Sequence, residues 1–324
     1  MGDHNITATN VTNTMSITEI ALTTTFTVLV IMNLIGNSLV FFVVFRHKQM
    51  RTLMNYLLVN LAVSDIMVAV FIAPQYVLRH FYKHPGGTAG DILCKLVTGG
   101  NFVWTGGAAS AFTLVAIAIE RYYAVAQPHL HRNITPERLR TIIIGSWVYA
   151  IIFNLPLFMV IKFEKVRDDF RCPEVWPNEE LAKVYTVSAF FVLGAIPLGV
   201  MGMLYPLTIR ALWKDRLRAS KISDRAIIRQ RKKATKMMLV VSVLYAICWL
   251  PNLILYMLSM YRPDWYVYFS DPYVVSVVLV CANSTMNPFV YSLHSSRFRN
   301  ELKSLFCCEK YGHIDLLSVL QSST

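Results

Sequence analysis

The chain has 324 residues, 55% of them apolar and 15% charged, with a net charge of +12 and a mean hydropathy of +0.46. That balance excludes an ordinary soluble protein and makes a lipid bilayer the expected surroundings. The positive charge is dispersed over alternate loops rather than gathered in one patch, so no nucleic-acid partner is expected.

A bilayer core takes about 20 mostly apolar residues per helix, and seven such runs stand at roughly 20–45, 54–79, 95–123, 140–161, 184–212, 235–260 and 272–294. The fold class is therefore an all-α seven-helix membrane bundle, residues 20–294, between a tail at 1–19 and cytoplasmic segments at 295–308 and 309–324. The first run has no basic segment before it and no small-residue cleavage site, so it reads as a helix that stays. Basic residues crowd one set of loops, above all from Arg210 to Lys236, whereas the other set carries acids such as Glu174 and Asp169. The positive-inside rule then places the N-terminus outside a plasma membrane and the C-terminus in the cytoplasm. Sequons at Asn5 and Asn10 agree with that orientation, chance matches in an Asn/Thr-rich tail being the alternative. A third sequon, at Asn133, falls on the cytoplasmic side and is expected to stay unused.

Asp65 lies near the middle of the second run, where an ionisable group is costly and marks a candidate site. Asn37, Ser110, Asn283 and Asn287 offer neutral oxygens and amides from other runs; with Asp65 they form either a small-cation site or a hydrogen-bonded packing knot. Cys94, at the outer start of the third run, and Cys172, in the loop after the fourth, both face an oxidising compartment and are expected to pair, two free thiols being the weaker alternative. The third run ends on Glu120, Arg121 and Tyr122, an acid and a base at a membrane boundary. Pro156, Pro197, Pro251 and Pro288 each remove a helical hydrogen bond, and Trp249 stands beside Pro251 in "CWLP". After the seventh run, "SSRFRNELKSLF" is basic and amphipathic and leads into Cys307 and Cys308, where palmitoylation is expected unless the pair is unmodified.

Taken in order, Gly36-Asn37, "LAVSD", Glu120-Arg121-Tyr122, Trp147, Pro197, Tyr205, "CWLP" and "NPFVY" resemble the rhodopsin-like (class A) G-protein-coupled receptors over residues 20–310. The resemblance implies a sodium-linked network of Asp65, Ser110, Asn283 and Asn287 that favours rest, and no other cofactor. It also implies a ligand-sensing Trp249, a hinge at Pro251, a part in activation for Asn287 and Pro288, and Tyr205 and Tyr291 turning inward on activation. Arg121 would meet a heterotrimeric G protein, and Cys94–Cys172 would be the family's disulfide; the Ser-rich end "LLSVLQSST" is either a site for a receptor kinase and arrestin or simply a polar tail. Three departures stand out. Tyr245 replaces the usual Phe; "RQRKKATKM" offers no acid to clasp Arg121, which implies a loose latch and basal activity; and Cys94 to Arg121 is about two residues longer than usual in the family, near the glycine pairs at 99–100 and 106–107.

Absences narrow the ligand. The amine-receptor aspartate would fall near Val103, and the seventh run has no Schiff-base lysine, so amines and light are excluded. "CPEVWP" followed by "KVYT" resembles receptors of the neuropeptide Y, neuropeptide FF, RFamide and tachykinin group, which implies a loop hairpin over the pocket and an extracellular peptide ligand. The acids Glu174, Asp168 and Asp169 suit a basic peptide such as one ending in Arg-Phe-amide, with Gln75, Tyr76, Val103, Trp104 and Tyr256 near the pocket beneath. A lipid or other small non-peptide ligand is the alternative. No catalytic triad, nucleotide loop or metal-ligand spacing points to an enzyme, and a single deep acid is too little for a transporter path.

Overall fold

A computed structural model describes residues 16–127, 135–166, 169–218, 222–262 and 270–306. Asn5, Asn10, Asn133, Asp168, Cys307, Cys308 and the tail at 309–324 lie outside the described residues. Among those described are seven helices long and apolar enough to cross a membrane: Ile17–Arg46, Leu53–Val77, Gly87–Ala126, Pro136–Val160, Glu179–Leu217, Asp224–Tyr261 and Asp271–His294. An amphipathic helix, Ser296–Phe306, follows them.

The helices outrun the hydropathy at several places, the fifth also at its far end, Arg218 rather than 212. The third begins at Gly87 rather than 95, the fifth at Glu179 rather than 184, and the sixth reaches back to Ile222 rather than 235. Hydropathy reads only the length in lipid, whereas Arg, Lys, Gln and Ala favour the helix just as well in water. The Asn178 side chain starts the fifth helix by accepting the Leu181 amide at 2.9 Å. The expected long basic loop between the fifth and sixth spans is thus mostly two helical extensions.

Small residues let the third span pass through the centre. A side chain at Gly106 would meet the Ser64 carbonyl of the second span at 2.8 Å, and Ala108, Ala109 and Ala111 are wholly buried. Before Arg121 the third span departs from α-helix at a π-turn, Cys94–Thr98, followed by Gly100 at φ +79°, a left-handed conformation that suits glycine. Further π-turns occupy Ala73–Val77, which contains Pro74, and Phe190–Ala195, just before Pro197.

Between the fourth and fifth spans, β1 (Glu164–Val166) pairs antiparallel with β2 (Asp169–Arg171), Lys165 opposite Phe170. Cys94 and Cys172 form the expected disulfide, and both are buried with Ile161 and Phe170 beneath the rings of Tyr82 and Phe163. The hairpin is thereby tied to the outer end of the third span.

Candidate functional site

Two cavities are lined by residues of the spans, one of them also by the hairpin. The outer one, about 250 Å³, is polar and is bordered by Glu19, Gln75, Arg79, His80, Asp169 and Asp271. Arg79 holds the hairpin to the second span, paired with Asp169 and stacked with its guanidinium 5.6 Å from the Phe170 ring centre. Tyr82 donates to the Pro74 carbonyl at 3.2 Å; burial raises its phenol above the usual range, with Arg79 lowering it and Asp169 raising it, so it remains a neutral donor. Tyr76 stacks on the buried Phe26 of the first span, ring centres 4.4 Å apart.

The inner cavity is only about 30 Å³, room for a single water, and is walled by Trp104, Tyr185, Trp249, Asn252, Tyr256 and Tyr273. Glu174 is bonded to the wall of this cavity: its carboxylate accepts from the Trp176 indole at 2.8 Å and from the Tyr256 hydroxyl at 2.8 and 3.0 Å. The residues proposed from sequence are therefore divided, with Gln75, Tyr76 and Asp169 on the outer cavity, Trp104 and Tyr256 on the inner, and Glu174 bonded to Tyr256. Val103 borders neither; it is 2% exposed and packed in the outer core with Val68 and Ile72. Arg79, in the turn beyond the second span, and Asn154 and Asn252, on the inner cavity, were not legible as site residues.

Beneath the inner cavity the indole of Trp249 rests on Gly107, T-shaped to Trp104 and stacked on Tyr245 with centres 5.5 Å apart. Pro197 has no N–H to offer the carbonyls four and five residues before it. Two hydroxyls replace that donor: Tyr245 of the sixth span reaches the Leu193 carbonyl at 2.6 Å, and Tyr149 of the fourth reaches that of Val192 at 3.2 Å. The departure at Tyr245 thus supplies a bond that Phe does not.

Deeper still, Asn287 donates to Asp65 at 2.7 Å and Asn37 donates to the Ser284 carbonyl at 3.1 Å. The other oxygen of Asp65, the Ser110 hydroxyl and the amide oxygens of Asn283 and Asn287 are buried without a hydrogen bond to any described residue. Four oxygen donors, one charged, match the chemistry a small hard cation requires.

At the cytoplasmic end Arg121 is gripped through two nitrogens by its neighbour Glu120, while Tyr122 lies partly exposed beside Tyr123. Tyr205 shares a 3.1 Å hydrogen bond with Ser242 of the sixth span, and the buried Tyr291 leans on Phe298 of the amphipathic helix. An inter-helix ion pair does exist here, but its acid comes from the fifth helix: Asp215 meets Arg231 of the sixth at 3.9 Å. The sequence "RQRKKATKM" alone could not disclose it.

A family profile described as "7 transmembrane receptor (rhodopsin family)" matches residues 36–291. The chain is 30% identical to the substance-P receptor of Mus musculus over 292 residues, covering 87% of this chain and 70% of the relative. It is 29% identical to neuropeptide FF receptor 2 of Rattus norvegicus, over 86% of this chain and 70% of the relative. Against the RYamide receptor of Drosophila melanogaster the identity is 33%, over 82% and 59%.

Proposed function

The chain belongs to the rhodopsin family of seven-transmembrane receptors and is a class A neuropeptide receptor, a multi-pass membrane protein and not an enzyme; from that premise we propose that its ligand is a basic, C-terminally amidated peptide of the RFamide kind. The observation that carries this reading is Glu174, a carboxylate held by Trp176 and by Tyr256 of the inner cavity's wall, two residues beyond Cys172 on the outer cavity. A guanidinium descending from the outer cavity meets that acid and the faces of Trp176 and Tyr185, and an apolar neighbour turns toward Trp104 and Tyr273. The inner cavity has to widen to accept it, and Trp249 forms part of its wall.

Widening there moves the sixth span about Pro251 and frees Arg121 for the G protein. Asp65, Ser110, Asn283 and Asn287 would hold a sodium ion at rest, whose charge balances that of Asp65 in the dry bundle. In this reading the N-terminus is outside and glycosylated at Asn5 and Asn10, Cys307 and Cys308 are palmitoylated, and a kinase and arrestin act on the tail at 309–324. The test is a screen of RFamide-type peptides, their free acids and a lipid panel, with G-protein nucleotide exchange as readout. Amidated peptides should activate, and Glu174→Gln should weaken an Arg-bearing peptide about 10- to 100-fold. A response confined to lipids would reverse the ligand assignment. For orientation, altering Asn5 and Asn10 to Gln should remove glycan mass and altering Asn133 should not.

A further inference from the structure

The sixth helix continues for about four turns on the cytoplasmic side of its apolar run, which begins at Met237. At 100° per residue, Arg225, Arg229, Lys232, Lys233 and Lys236 of that extension fall within an arc of about 100°. All five are exposed, and none forms an ion pair among the described residues. The bundle side of the same helix carries the buried Thr235, Met238 and Val241, and Arg231, off the stripe, is the residue that meets Asp215. The stripe therefore faces away from the bundle, toward the lipid around it, and not into the space between the helices where Arg121 lies.

Height along the axis narrows the partner. Lys232 to Lys236 spans about 6 Å at 1.5 Å per residue, close to the thickness of one headgroup layer, about 5–7 Å. Arg229 and Arg225 stand about 10 and 16 Å from Lys236 on the same line. A phosphoserine headgroup ends within the layer and meets only the three lysines. An inositol ring phosphorylated at its far carbons projects above it, so one lipid reaches the lysines with its bridging phosphate and Arg229 with a distal one.

We propose that this stripe is a binding site for polyphosphoinositide headgroups of the cytoplasmic leaflet; it rests on the orientation given above. The test uses the purified full chain in detergent, titrated with short-chain phosphatidylinositol 4,5-bisphosphate, with phosphatidylserine and unphosphorylated phosphatidylinositol as comparators, bound lipid being counted by native mass spectrometry. Binding in detergent does not depend on orientation, so a failure here and a failure of the glycan test are separate results. The bisphosphate should be retained preferentially. R229Q/K232Q/K233Q/K236Q should weaken it about 100-fold, whereas the charge-matched R138Q/R140Q/K214Q/R216Q, also on exposed sites, should leave it nearly unchanged. Equal losses from both sets, or equal retention of phosphatidylserine, would reduce the effect to net charge and overturn the site. Unchanged lipid binding in the stripe variant together with lost G-protein exchange would make the stripe a protein-docking surface instead.

Discussion

The seat of Trp249 invites the most direct perturbation, Gly107→Ala. The new methyl would stand 2.1 Å from Cη2 of the indole and 2.5 Å from Cζ2, where carbon atoms prefer about 3.5–4.0 Å. The ring must therefore retreat by roughly 1.4 Å. Little space receives it, since it is 1% exposed, flanked by Tyr245 and Trp104, and borders only the inner cavity of about 30 Å³. Overpacking of this kind costs about 1–3 kcal/mol, charged against the conformation in which the indole lies on the third span. If that conformation is the resting one, a 1–3 kcal/mol bias shifts the equilibrium about 5- to 150-fold toward activity. The assay is ligand-free nucleotide exchange by a G protein on receptor in nanodiscs, with the thermal midpoint measured on the same sample. Basal exchange should rise, the midpoint should fall, and adding Trp249→Phe should relieve both. A lowered midpoint with unchanged exchange would sever the link between the indole's seat and signalling; no change in either would mean that the wall yields freely.

Arg121→Ala should leave surface expression and peptide binding intact and abolish exchange; retained coupling would refute the role given to the cytoplasmic end of the third span. Sodium should depress basal exchange by the unmodified receptor and not by Asp65→Asn, and persistent sodium sensitivity in the variant would place the ion elsewhere. Tyr245→Phe leaves the Leu193 carbonyl without its donor and should cost about 1–3 kcal/mol, read as a lowered thermal midpoint; equal stability would show that another group satisfies the carbonyl.

What was legible in the sequence was what lipid enforces. Runs of about 20 apolar residues, a lone deep aspartate and prolines within spans are each costly in hydrocarbon unless the fold provides for them, and all are visible one residue at a time. The glycine pairs were legible only in kind: a departure from helix or a close approach was expected, and the structure divides the two. Gly99 and Gly100 follow the π-turn, while Gly106 and Gly107 admit Ser64 and Trp249. Illegible were the contacts that depend on which helices meet and at what height. Asp215 and Arg231 belong to different spans, and nothing in either stretch marks the other. The same holds for Arg79, whose partner Asp169 arrives on a hairpin held by the disulfide.

The tyrosines around Pro197 show why such contacts bear on function. A proline in a membrane helix is usually read as a weak point, and by sequence alone the fifth span would bend at its outer half. Instead its neighbours on both sides donate to the carbonyls that Pro197 leaves free, Tyr149 from the fourth span and Tyr245 from the sixth. Those two bonds fasten the fifth span near the level of Trp249. Movement of the fifth and sixth spans relative to each other must then occur closer to the cytoplasm, where the ties are the hydroxyl pair of Tyr205 with Ser242 and the partly exposed ion pair of Asp215 with Arg231. An exposed ion pair contributes at most about 1 kcal/mol, so that lower end is the one a modest displacement of Trp249 can open.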